Sequence, residues 1–224
     1  MSTVLDHFQH IRFDKKHAWH RSMILLYCTI IEYADSIYVL VTQQNSVSLP
    51  IVTRSILEAF VDLMNLCDDP SYGNHLQADD IKEWLRVAKE AQTTSNPYLK
   101  EMVDADGFDV QVIQWEDEFK ALGHEGFRPL NQITKFEKAG LANEYRSVYN
   151  FLCVHTHNNL RALHERHIEI SDDKRDFNIV IFHDFDPKLI EQYIPLVCRC
   201  IIECSIKVHA TIGTGYEDAF KTDQ

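Results

Sequence analysis

Two short clusters carry the side chains best suited to chemistry. The first is Arg54-Ser-Ile-Leu-Glu58, where a guanidinium and a carboxylate four residues apart share one face of a helix. Ile51, Val52, Ile56, Leu57 and Phe60 surround them, so both charges sit on a largely apolar element and must be paired or hydrogen-bonded. Two uses fit: an internal salt bridge that fixes helix register, or a polar pair lining a pocket. The second cluster runs from Tyr149 through Leu152, Cys153, His155, His157 and Asn158 to Arg161. There an apolar helix leads directly into imidazoles and amides. An imidazole beside a carboxylate can move protons near neutral pH, whereas a helix-end histidine can simply satisfy the negative end of the dipole. The sequence therefore nominates Arg54, Glu58 and His155 as the reactive centre if the two helices meet. His157, Asn158, Arg161 and His167 stand at its edge as ligand-binding candidates.

The spacing of Arg54-x-x-x-Glu58, together with Tyr149-Asn-Phe-Leu-Cys-Val-His155 and the following Arg161-Ala-Leu163, resembles the bacterial family known as domain of unknown function 5677. The likeness extends over about Ser22 to Ala210, but only these two motifs are specific, and Cys153 stands near the place where that family usually has Ser. The resemblance implies a mostly helical fold and favours Arg54, Glu58 and His155 as site residues. It implies no reaction, because the family has no settled activity. A second, weaker resemblance is to small helical ribonucleases of the HEPN class, which place a His four to six residues after an Arg. Arg161 and His167 have that spacing, although Ala162 replaces the polar residue that often follows the Arg. In that reading Arg161, His164, Arg166 and His167 form a local basic patch, the Arg stabilising phosphate charge while a His transfers a proton without any metal. A role in stress response or phage defence follows only from that analogy.

Metal binding is the third reading. Twelve His is a high count for 224 residues. His7, His10, Asp14, His17 and His20 crowd the N-terminus, and on a continuous helix His10, Asp14 and His17 would share a face and could hold a transition ion. His164-Glu165-Arg166-His167 falls one residue short of the His-Glu-x-x-His spacing. A solvated, His-rich surface accounts for both groups equally well. The six cysteines lie mostly within apolar patterns and read as small core residues; Cys200 and Cys204 share a helix face, whereas Cys198 does not. A Gly-rich phosphate loop, a Gly-x-Ser-x-Gly elbow and a basic–aromatic nucleic-acid motif are all absent, so no cofactor is expected.

The elements that must carry these groups are helical. Apolar residues recur at helical spacing over Trp19–Thr42, from Pro50 to about Cys67, from Asp79 or Asp80 to Ala91, over Val110–Leu122 and Gln132–Ala139, onward from Asn143, and from Lys188 to about Ala210 after Pro187, with a kink expected at Pro195. Asn178–Phe182 is the one β-type run, short and rich in β-branched residues; it is expected either to pair with a partner chain or to be merely extended. The expectation is an all-α single domain of about seven helices spanning residues 1–224, with one extended segment at 178–182 and loose ends at 1–13 and 211–224. Seven Gly and six Pro are too few for a many-turned β architecture.

Apolar residues make up 45% of the chain, enough to support a sizeable core. The N-terminus lacks a signal-peptide pattern, and the apolar run Ser22–Val41 contains Glu32 and Asp35, so a cytoplasmic protein that does not insert in a membrane is expected. Subtracting 34 acidic from 22 basic residues gives a formal charge of −12, which disfavours RNA except at a focused patch. The expected function is binding of a small anionic or phosphate-bearing ligand, or of a protein partner, at an Arg/Glu/His site. Long apolar helices and a single strand suit a homodimer.

Overall fold

The computed structural model describes residues 1–94, 96–157, 159–181 and 188–221. Helix dominates, as the apolar periodicity predicts, with one small sheet. The chain divides into two compact units: residues 1–68 with 135–224, and residues 69–134 between them.

The first unit is built on two long helices, α2 (Ala18–Thr42) and α3 (Leu49–Asp68), preceded by the short α1 (Ser2–Phe8). The inward stripe of α2, Met23, Tyr27, Ile30, Ala34 and Ile37, is buried against α3. The matching stripe of α3 includes Ile56, Leu57, Phe60 and Leu63. Among the described residues α2 is the helix long and apolar enough to cross a membrane by length and composition; here it packs on α3 and on α11 (Lys188–Ile212). The helix α11 passes through Pro195 without ending, and Val197, Cys200, Cys204 and Val208 form its buried stripe. Cys198, two residues from Cys200, is exposed, as a 100° step per residue requires. Tyr27 hydrogen-bonds Ser205 of α11 at 2.7 Å, and burial pushes its hydroxyl up to about 12.

The second unit pairs α4 (Tyr72–Thr93) with α6 (Phe108–His124), joined through a 3₁₀ turn at Pro97–Leu99 and the short α5 (Lys100–Val103). Ala78, Ile81 and Leu122 form one part of its core, Ala88, Ala91 and Phe108 another, and Trp115 packs on both. Residues 72–78 extend α4 well before Asp79, where the sequence suggested a cap. Tyr72 and Ala78 are buried, so packing carries the helix upstream of the polar pair.

The chain returns to the first unit in α7 (Gln132–Lys138), α8 (Ala142–Glu144), α9 (Asn150–Thr156) and α10 (Leu160–His167). Between α8 and α9, Tyr145–Tyr149 forms a π-helical turn, so residues 142–156 are one helical run with a local bulge. Helices therefore outnumber the expected seven among the described residues, because short ones join the long ones.

The extended segment differs from expectation in bounds and in partner. Strand β2 spans Phe177–Ile179 and pairs within the chain, antiparallel to β1 (Ile168–Ile170). Phe182 and Pro187 lie outside the described residues. The termini, read from sequence as loose, carry α1 and a 3₁₀ turn at Glu217–Phe220. His7 lies 4.9 Å from the Tyr216 ring and 5.4 Å from that of Phe220, which gives both ends an aromatic contact.

Candidate functional site

Helix α3 meets α9 at the place where their apolar stripes give way to polar groups. Arg54 and Glu58 sit there as the spacing predicts, with Arg54 Nη2 2.9 Å from Glu58 Oε1. The π-turn supplies the third member, Tyr149. Its hydroxyl donates to Glu58 Oε1 at 2.6 Å and accepts from Arg54 Nη2 and Nε at 3.2 and 3.4 Å. The guanidinium also lies over the Tyr149 ring, 5.4 Å from its centre. Behind it Tyr149 stacks on Tyr145 and tilts against Phe136, both within 5.2 Å, which fixes the ring in one orientation.

Protonation follows from this geometry. Burial raises the Tyr149 pKa, and its hydrogen bond to the Glu58 carboxylate raises it further; the hydroxyl remains a donor. Burial disfavours the Arg54 charge, but the Tyr149 hydroxyl and Glu58 outweigh it and lift the guanidinium above its already high ordinary value. Two edges of Arg54 are thus held by protein. The third, Nη1, faces His157, whose Nε2 is 3.5 Å away on the exposed turn after α9.

His155 takes a different place. It is buried, with Nε2 3.6 Å from Glu165 of α10 and its ring edge-on to Phe151 at 5.1 Å. Burial lowers its pKa; Glu165 opposes this, while Arg166 and Arg161 add to it. Its backbone carbonyl accepts from Arg166 Nη2 at 2.6 Å, tying α9 to α10. The nominated triad is therefore arranged as two groups: Arg54, Glu58, Tyr149 and His157 in one, and His155, Glu165, Arg161 and Phe151 in the other. Arg161 donates to Glu165 at 2.8 Å and lies over Phe151. His167 contacts the Val180 carbonyl at 3.1 Å. Arg161 and His167 lie about 120° apart around α10, so this helix does not aim them at one point. Asn158 lies outside the described residues.

Tyr149 and Glu165 are the participants that sequence reading missed as polar partners. A buried tyrosine hydroxyl normally needs a partner, and Arg54 and Glu58 were the charges in need of one.

The N-terminal histidines do not form the predicted face. The helix α1 ends at Phe8 and α2 begins at Ala18, so His10, Asp14 and His17 lie on irregular chain with no shared helical side. His10 stacks on Tyr216 at 4.9 Å, while exposed His17 lies 3.7 Å from Asp14. Among the described residues, no group of three or more His, Cys, Asp or Glu side chains is arranged to hold a metal ion.

A helical protein with a paired Arg–Glu on one helix and a Tyr–His segment on another is the class that this fold and site define. The chain belongs to the family described as "Family of unknown function (DUF5677)", whose profile matches residues 20–176 and so covers both halves of the site. No curated protein and no solved structure matches it.

Proposed function

We propose that the Arg54–His157 edge binds a small anionic ligand, such as one bearing a phosphate group, with Glu58 and Tyr149 acting to hold Arg54 in place. The observation that carries this reading is the division of labour around one guanidinium. Nε and Nη2 are taken by Tyr149 and Glu58, which leaves Nη1 beside an exposed imidazole nitrogen. At 3.5 Å the Nη1–Nε2 contact is too long to be a strong hydrogen bond. One anionic oxygen placed between them would lie at about 2.8 Å from both, the distance of a charge-assisted bond. Holding the guanidinium beforehand reduces the side-chain entropy lost on binding. The formal charge of −12 also means that attraction must be local, which suits a compact ligand better than a long polyanion.

Calorimetric titration with inorganic phosphate and with pyrophosphate at low ionic strength tests this reading. The wild-type chain is expected to show saturable one-site binding, and Arg54→Gln to weaken it at least about tenfold, one charge-assisted contact being worth about 1.5–3 kcal/mol. Absence of binding to both anions, or equal binding by Arg54→Gln, refutes it. Hydrolysis of RNA that requires Arg161 and His167 but not Arg54 would replace it with the nuclease reading.

A further inference from the structure

The β1–β2 hairpin has one apolar face that is largely exposed, with only Ile168, next to α10, half-buried. Its register places Ile168 opposite Ile179 and Ile170 opposite Phe177. Directly opposed residues of an antiparallel pair project to the same side, and positions two apart along a strand do so as well. Ile168, Ile170, Phe177 and Ile179 therefore share one face, while Glu169 and Asn178 form the other. Ile170 is 64% exposed, Phe177 55%, Ile179 71%, and Ile181, just beyond β2, 72%. A two-stranded ribbon is marginal in water without packing on something else, so this exposure is costly for the element that bears it.

We propose that this face docks on the same face of a second copy of the chain, giving a two-fold symmetric dimer. The area approaches what a specific contact needs. The three exposed members of the face and half-buried Ile168 supply roughly 400 Å² of apolar surface between them, so two hairpins face to face bury roughly 800 Å² from these residues alone. Adjoining backbone and turn atoms bring the total toward the roughly 1,000–1,200 Å² at which specific contacts between chains begin. Charge limits how two copies can meet. Copies carrying −12 repel one another at long range, so their contact must be apolar and locally mixed in sign. The hairpin turn, Asp172-Asp173-Lys174-Arg175-Asp176, carries both signs, and under a two-fold axis such a segment is complementary to itself. The middle unit, residues 69–134, has 13 acidic and 6 basic side chains, and it offers no such self-complementarity.

Sedimentation velocity of the full chain from about 1 μM to about 100 μM, the range expected for an interface of this size, tests the proposal. The wild type is expected to move from monomer to dimer across that range. Phe177→Thr combined with Ile179→Thr keeps β-forming residues while removing apolar surface, and should raise the dimer dissociation constant at least about tenfold. Leu25→Thr, at an exposed position on α2, should leave it unchanged. Ile170→Thr is measured alongside, with helicity checked by circular dichroism, so that an unfolded double variant still leaves a reading. A wild type that stays monomeric throughout overturns the proposal, and so does a dimer that persists unchanged in every folded hairpin variant. A monomer that binds anionic lipid vesicles through these residues also overturns it, by assigning the face to a membrane.

Discussion

Replacing Tyr149 by Phe removes a single oxygen atom, and the structure gives the magnitude to expect. That oxygen donates to the Glu58 carboxylate at 2.6 Å and accepts two longer contacts from Arg54, at 3.2 and 3.4 Å. A hydrogen bond to a charged group contributes about 1.5–3 kcal/mol when buried. Glu58 is 30% exposed, so water replaces part of the lost partner, and the direct Arg54–Glu58 contact at 2.9 Å survives. The expected loss is therefore about 1–2 kcal/mol, which at about 2–4 °C per kcal/mol for a chain of this size lowers the midpoint by about 2–8 °C. Urea denaturation at pH 7 measures it, with the slope against urea unchanged because the ring and its packing remain. Tyr145→Phe is the control. It alters a stacked neighbour that makes no comparable bridge, and should stay within about 0.5 kcal/mol of wild type. A double-mutant cycle with Glu58→Gln should return a coupling of about 1 kcal/mol or more between positions 58 and 149. Equal effects of Tyr149→Phe and Tyr145→Phe, or a coupling near zero, would refute the bridging role.

Stability should also fall on acidification through two buried histidines. Burial holds the folded-state pKa of His155 below the ordinary value, and burial with neighbouring His7 and His10 does the same for His209. The unfolded chain takes up these protons near about pH 6.5 while the native chain does not. It therefore binds more protons, and stability drops as pH falls from there through the folded-state values. His155→Asn and His209→Asn should each flatten that drop in urea midpoints measured from pH 7 downward; an unaltered pH profile in both variants would contradict the burial argument. Buried Lys135 of α7 and half-buried Asp62 of α3 form an ion pair at 3.2 Å. Asp62→Leu should cost about 3–5 kcal/mol by stranding the ammonium, and adding Lys135→Met should recover most of it; a loss below about 1 kcal/mol in the single variant would show that Lys135 is satisfied without Asp62.

The long helices were legible in the sequence because burial on one side imposes the 3.6-residue rhythm. That rhythm marked α2 and α3 to within a residue or two, and it also put Arg54 and Glu58 on one face. Contacts that depend on tertiary context left no such trace. The π-turn that aims Tyr149 lies inside an ordinary apolar pattern, and no local pattern favours His157 over His155 as the neighbour of Arg54. His-Ile-Glu-Ile at 167–170 contains no turn residue, so nothing local separates β1 from α10, and only its pairing with β2 marks it as a strand. The N-terminal histidines misled for the opposite reason. Their spacing fits a helical face, but the chain between α1 and α2 is not a helix. Order at the termini depends on aromatic contacts between residues some two hundred positions apart, which local patterns do not encode.

For the proposed site to work, an anion must reach the free edge of Arg54. Side-chain NMR of the histidine rings during titration with pyrophosphate reads this position by position. The ring signals of His157 should shift saturably, those of His17 on the distant exposed segment should not, and Arg54→Gln should abolish the His157 response while leaving the remaining spectrum folded. A spectrum in which His157 does not respond, or responds equally without Arg54, would contradict the assignment of this site.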